Sequence, residues 1–133
     1  MNVILSIHPK WAKLIYSGDK TIEWRKDLPT AAYAGMKVYL YETAPVSKVT
    51  GCFTYNGFVN IDAKNLDLSL EMTHDSICVK AGCVEPEELM KYQGRNASLL
   101  GWEIYGFEKF SEPKTLSEFG IAKAPQNWQY VKE

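Results

Sequence analysis

The chain has 133 residues and a mass of 15.1 kDa, which is the length of one domain and enough to bury roughly two thirds of its unfolded surface without a disulfide or a metal. Its 46% apolar and 23% charged residues are those of an ordinary globular protein, which excludes a disordered, collagenous or coiled-coil chain. A net charge of −1 excludes the strongly basic balance of a non-specific nucleic-acid binder, and no apolar run approaches the roughly 18 residues of a membrane helix.

Val3–Ile7 is an apolar run that reads as a strand. With no basic stretch or long apolar core at the N-terminus there is no secretory leader to read, and the expected location is cytoplasmic. Pro9 suits a first helical turn, because its missing N–H would be unpaired there anyway. Trp11, Leu14 and Ile15 recur at helical spacing through Lys10–Ser17, and Gly18 closes that helix as a left-handed residue. Thr21–Arg25 alternates and reads as a strand, with Ile22 and Trp24 on one face and Thr21, Glu23 and Arg25 on the other. Met36–Tyr41 is a strong strand, and Lys48–Val59 is a longer one with bend points at Gly51 and Gly57. Residues from about 60 to 94 form an acidic insert. A helical pattern runs through Leu70–Val79, and a second helix starts near Pro86 and stops at Gly94. Ala97–Phe107 returns to strand, Thr115–Phe119 is one helical turn, and the tail 124–130 reads as irregular or weakly extended. The expectation is a single domain over residues 1–133, α+β or mainly β.

Charge is unevenly placed. From His8 to Lys26 five basic residues stand against two acidic ones, a local +3, while from Asp62 to Glu88 two stand against seven, a local −5. Such asymmetry steers an anionic ligand to one face, or else marks two solvated surfaces. The three cysteines, Cys52, Cys78 and Cys83, read as reduced thiols. His74 and Cys78 share a helix face at i,i+4, but a fourth ligand and any C-x-x-C pair are missing. No metal and no cofactor are expected.

The stretch Leu5–Arg25 carries a motif series: apolar-Ser-Ile-His8-Pro9, an amphipathic helix, then Ser17-Gly18-Asp19-Lys20-Thr21-Ile22-Glu23-Trp24-Arg25. Val38–Tyr41, Ala44-Pro45-Val46, Val49-x-Gly51, Pro113-x-x-Leu116 and Pro125-Gln126-x-Trp128 follow in order. The series resembles the ASCH domain family of the PUA-like superfamily and spans nearly the whole chain. The resemblance implies a small, bent β-barrel with surrounding helices and a cleft beside the first helix. It also implies RNA or nucleotide-like ligands, with members that bind RNA, cleave single-stranded RNA, or hydrolyse an amide on a modified cytidine. Lys20 matches the lysine held to be catalytic in those amidohydrolases. Their threonine, three residues further on, is replaced here by Glu23, and His8 stands where the family often has Lys or Arg.

Lys20, Glu23 and Arg25 are the leading site residues. A lysine offers a point charge and an arginine a bidentate fork for phosphate, and a carboxylate accepts from a base amino group or acts as a general base. The plain alternative is an exposed strand face with an ion pair worth little. The wider ligand-binding set is His8, Thr21, Tyr41, Thr43, Lys48, Gln126 and Trp128. Trp128 is a stacking candidate or a residue docked over the sheet, and Gln126 can read a base edge. Trp11 and Trp24 read as core. The leading expectation is a domain binding RNA, single-stranded, or a modified nucleoside or nucleotide. The alternatives are a small hydrolase using Lys20 and Glu23, with His8 as a further catalytic candidate, and a protein-interaction adaptor that uses the acidic insert.

Overall fold

In the computed structural model, residues 1–131 are described, and they build one six-stranded mixed sheet with three α-helices and a 3-10 turn. The strands are β1 (Asn2–Ile7), β2 (Ile22–Arg25), β3 (Lys37–Glu42), β4 (Lys48–Ile61), β5 (Leu99–Lys114) and β6 (Trp128–Val131). The helices are α1 (Pro9–Tyr16), α2 (His74–Gly82) and α3 (Pro86–Gln93). Their order in the sheet is β2-β5-β4-β3-β1-β6, with β1 and β3 parallel and every other pair antiparallel.

The apolar run of β1 is continuous because both faces of that strand are covered. Val3, Leu5 and Ile7 meet Ala12 and Ile15 of α1 together with Met36, Val38, Leu40, Phe53, Tyr55 and Trp102. Ile4 points the other way, to Tyr39, Val49, Cys52, Ile121 and Val131. A further cluster ties β2 to the insert through Ile22, Trp24, Ile61, Ala63, Cys78, Leu89 and Leu99. Two glycines permit that contact. A methyl group on Gly101 would sit 2.7 Å from the Trp24 ring, and one on Gly82 would run into the Trp24 indole nitrogen. The Trp24 ring therefore packs against two backbone positions that carry no side chain.

The helix signals behave as their chemistry dictates. Pro9 opens α1 with His8 as its N-cap, and Gly18 takes φ +85 after it. Thr73 caps α2 by accepting from the Ser76 N–H at 3.1 Å, so the helix begins at His74, later than the Leu70 start the pattern suggested. Pro86 opens α3 and Gly94 follows its end with φ +56.

One expectation needs correction. The sheet is open and not a closed barrel: β2 and β6 are its edges and no ladder joins them. Both are four residues long, and the space between them is crossed by side chains. Arg25 of β2 donates from Nη1 to the Asn127 side-chain oxygen and from Nη2 to the Ser6 carbonyl, each at 2.9 Å. The tail, read as irregular or weakly extended, is extended over its last part and contains β6, paired with β1 from Asn2↔Val131 to Leu5↔Trp128. The pairing of β1 with a strand more than 120 residues away overrides the weak local preference of Gln126-Asn127-Trp128-Gln129. Among the described residues, no helix is long and apolar enough to cross a membrane.

Candidate functional site

The turn from α1 into β2 places the first site residues. The Lys20 N–H donates to the Leu14 carbonyl and the Thr21 N–H to the Ala81 carbonyl, which fixes the chain between α1 and the end of α2. β2 then has both faces covered, so Lys20 and Glu23 are buried, at 1% and 4% exposure, despite their charge. Burying ions is costly unless they are paired and hydrogen-bonded. Here the Glu23 carboxylate takes Nε and Nη2 of Arg25 on Oε2 at 2.8 Å, while Lys20 Nζ lies 3.4 Å from Oε1. Lys20 Nζ also donates to the Gly82 carbonyl and lies 5.1 Å from the centre of the Trp11 ring. Burial pushes the Lys20 ammonium below its ordinary pKa, and the Glu23 carboxylate opposes that shift.

These groups line a cleft of about 570 Å³. α1 and the end of β1 supply Ser6, Ile7, His8 and Trp11, with Thr43 beyond β3; the His8 ring lies 3.4 Å from the Thr43 hydroxyl. The insert supplies Val84, Glu88, Leu89, Lys91 and Tyr92, and the segment before β6 supplies Gln126. Tyr92 has its phenol pushed up by burial and pulled down by the Arg25 charge. Two lysines flank the aromatic rings: Lys10 lies 4.5 Å over Trp11 and Lys26 lies 4.8 Å over Tyr92.

The structure brings His8, Lys20, Glu23, Arg25, Thr43 and Gln126 together in the cleft, and leaves Thr21, Tyr41, Lys48 and Trp128 outside its lining. Thr21 is exposed and spends its backbone groups on Ala81 and Ile104. Tyr41 packs against the cluster on the other face of the sheet, as Phe110, Leu116 and Phe119 do. Lys48 is exposed at the start of β4. Trp128 donates from its indole to Asp27 at 3.2 Å and packs edge-on against Tyr130, which is docking over the sheet. Trp24 lies in the core as read, at 4% exposure, and Trp11 packs half-buried against the core; both also line the cleft. The α3 residues were missed, although Glu88, Lys91 and Tyr92 at i, i+3 and i+4 share a helix face that was visible in the spacing. Arg25 spends Nε, Nη1 and Nη2 on protein acceptors and acts as a brace for Glu23 and the tail.

His74 and Cys78 do approach each other, at 3.8 Å, but the Cys83 thiol donates to the Asp19 carbonyl. Among the described residues no group of three or more His, Cys, Asp and Glu side chains converges to hold a metal ion.

The family model of the ASCH domain matches residues 5–114. An ASCH domain-containing ribonuclease of Zymomonas mobilis is 35% identical over 63 residues, 47% of this chain and 42% of that protein. The ATP synthase subunit alpha of Ureaplasma parvum is 27% identical over 130 residues, 98% of this chain and 15% of that protein. The large ribosomal subunit protein uL22 of the same organism is 25% identical over 98% of this chain and 39% of that protein. The chain thus spans less than half the length of each of these curated relatives. The crystal structure of ASCH from Zymomonas mobilis superposes with a TM-score of 0.79 at 20% identity, covering 99% of this chain and 88% of that one. A mutant form of that protein gives 0.80 at 20% identity, over 99% and 89%. At that identity the likeness is one of fold.

Proposed function

The chain belongs to the ASCH domain family, and from that premise we propose that its cleft binds one nucleoside unit, free or within a single-stranded RNA. The observation that carries this reading is the pairing of aromatic side chains with a buried Lys20–Glu23–Arg25 group in a cleft of about 570 Å³. That volume is in the range of small-molecule sites, about 300–1,000 Å³. Trp11 and Tyr92 offer rings for a base, Glu23 and Gln126 offer polar edges, and Lys10, Lys26 and Lys91 offer charge for phosphates. The acidic insert, in this reading, is a wall of the site. The test is a titration with cytidine, cytidine 5′-monophosphate and short single-stranded oligoribonucleotides, read by tryptophan fluorescence. We expect saturable binding, weakened about fivefold or more by Trp11→Ala, since base–ring stacking contributes about 1–3 kcal/mol. No binding by the wild type overturns the reading.

A hydrolase reading draws on one observation. Burial lowers the Lys20 pKa, which moves an amine toward the range in which it serves as a base, and Glu23 holds it in place. A relative named as a ribonuclease is consistent with it. Turnover of single-stranded RNA or acylated cytidine that Glu23→Gln or Lys20→Met removes, with ligand affinity kept, establishes the enzyme. Absence of turnover by the wild type leaves the binding domain.

A further inference from the structure

Glu23 is one carboxylate shared by two cations, Lys20 buried at 1% exposure and Arg25 half-buried. Arg25 makes two contacts to Oε2 at 2.8 Å, whereas Lys20 stands 3.4 Å from Oε1. A guanidinium stays charged at any pH a folded protein meets, so the nearer Arg25 takes up the charge of Glu23. The other neighbours of the Lys20 ammonium are neutral: the Gly82 carbonyl and the face of Trp11. Facing Lys20 from the elements around it are Glu23 and Arg25 of β2 and Cys83 after α2, with His8, Glu88, Lys91 and Tyr92 further round the cleft. Among the described residues, Glu23 is the only carboxylate within ion-pair distance of Lys20.

We propose that this cleft is built one negative charge short, that its ligand carries an anionic phosphate which supplies it, and that binding draws a proton from solution onto Lys20. The proposal rests on the nucleoside reading of the cleft and narrows it to phosphorylated ligands. The balance is simple: the amine of Lys20 takes one proton from buffer and becomes an ammonium, and no bond to the ligand forms or breaks. Attraction in a water-poor site is far stronger than at a surface, so the second anion restores the charge state that burial opposes. The phosphate belongs either to a free nucleotide or to a strand.

Calorimetric titration of the full chain in two buffers of different ionisation enthalpy tests this. At pH 8.5 a phosphate monoester is already doubly ionised, its second pKa being about 6. Titrated at steps from pH 7 to 10, inorganic phosphate and cytidine 5′-monophosphate are expected to bind with proton uptake somewhere in that range and cytidine without it, the monophosphate about tenfold tighter or more than cytidine. Its affinity is expected to fall as pH rises from 7 to 10. Lys20→Met should abolish the uptake. Lys20→Arg, charged throughout, should bind the monophosphate with no uptake, and circular dichroism confirms that each variant is folded. Uptake with an oligonucleotide and not with the monophosphate assigns the phosphate to a strand and supports the proposal. Equal binding of cytidine and its monophosphate, or uptake that survives in Lys20→Met, overturns the proposal and leaves the nucleoside reading intact. Failure of phosphate, nucleotide, nucleoside and oligonucleotide alike overturns both.

Discussion

Lys20, Glu23 and Arg25 are not equivalent when removed. Glu23→Met strands the buried Lys20 and the half-buried Arg25 and is expected to cost about 3–5 kcal/mol in urea denaturation, the range for breaking a buried pair. Lys20→Met leaves Glu23 with Arg25 and removes a poorly compensated ammonium, at the loss of one hydrogen bond to the Gly82 carbonyl. We expect it to cost under about 2 kcal/mol at pH 7. The two variants separate further with pH. Burial holds the folded-state pKa of Lys20 below 10.5, so the unfolded chain binds more protons between those two values. Stability contributed by this residue therefore rises with pH through that window, and the penalty is full below the folded value. Lys20→Met should lose that rising slope, and a wild-type curve with no slope above neutral pH would contradict the assignment. Glu23 and Arg25 are legible in the sequence as one strand face, with Lys20 just before it. Its burial was not, because strand alternation predicts one exposed face and β2 is covered on both.

At the scale of elements, α3 is set as a wall by Gln93. This fully buried amide accepts from the Ala63 N–H at 2.6 Å and donates to Asp62 at 2.9 Å and to the Asn96 carbonyl at 3.0 Å. Gln93→Leu leaves the Ala63 N–H unpaired, with an expected loss of about 1–3 kcal/mol in thermal melts. Nucleotide affinity should fall with it, because Glu88, Lys91 and Tyr92 ride on the same helix; unchanged affinity would detach α3 from the site. Gly82→Ala is expected to be as damaging, about 1–3 kcal/mol, because its methyl group has no room beside the Trp24 indole. The signals that located these helices were local and chemical: Pro9 and Gly18, then Pro86 and Gly94. What those signals lack is placement. Nothing in the spacing of Glu88, Lys91 and Tyr92 says that the face they share looks onto Lys20. That follows from Leu89 and Cys78 sharing one buried cluster with Trp24, and from the glycines that admit its ring.

At the scale of the molecule, the difference between a closed barrel and an open sheet lies in a few side chains. β2 and β6 are edges, and Arg25 reaches from one toward the other through Asn127 and Ser6. Arg25→Lys keeps the charge but not the fork that serves three acceptors. We expect faster amide hydrogen exchange in β6, by about tenfold or more, with β3 and β4 unaffected; equal protection throughout would show that Arg25 does not hold the edges. Strand periodicity could not reveal this opening, because closure depends on whether two short edges meet and not on which residues are extended. The same bridge bears on the order of events during synthesis. Ser6 donates from its hydroxyl to the Pro125 carbonyl, 119 residues away, and from its backbone to Asn127. A ribosome that has delivered β1, α1 and β2 has therefore delivered Lys20, Glu23 and Arg25 without the α3 residues that line the cleft or the Asn127 partner of Arg25. Such a nascent chain carries the two cations and one carboxylate in water, and the cleft around them is complete only after residue 127 has emerged.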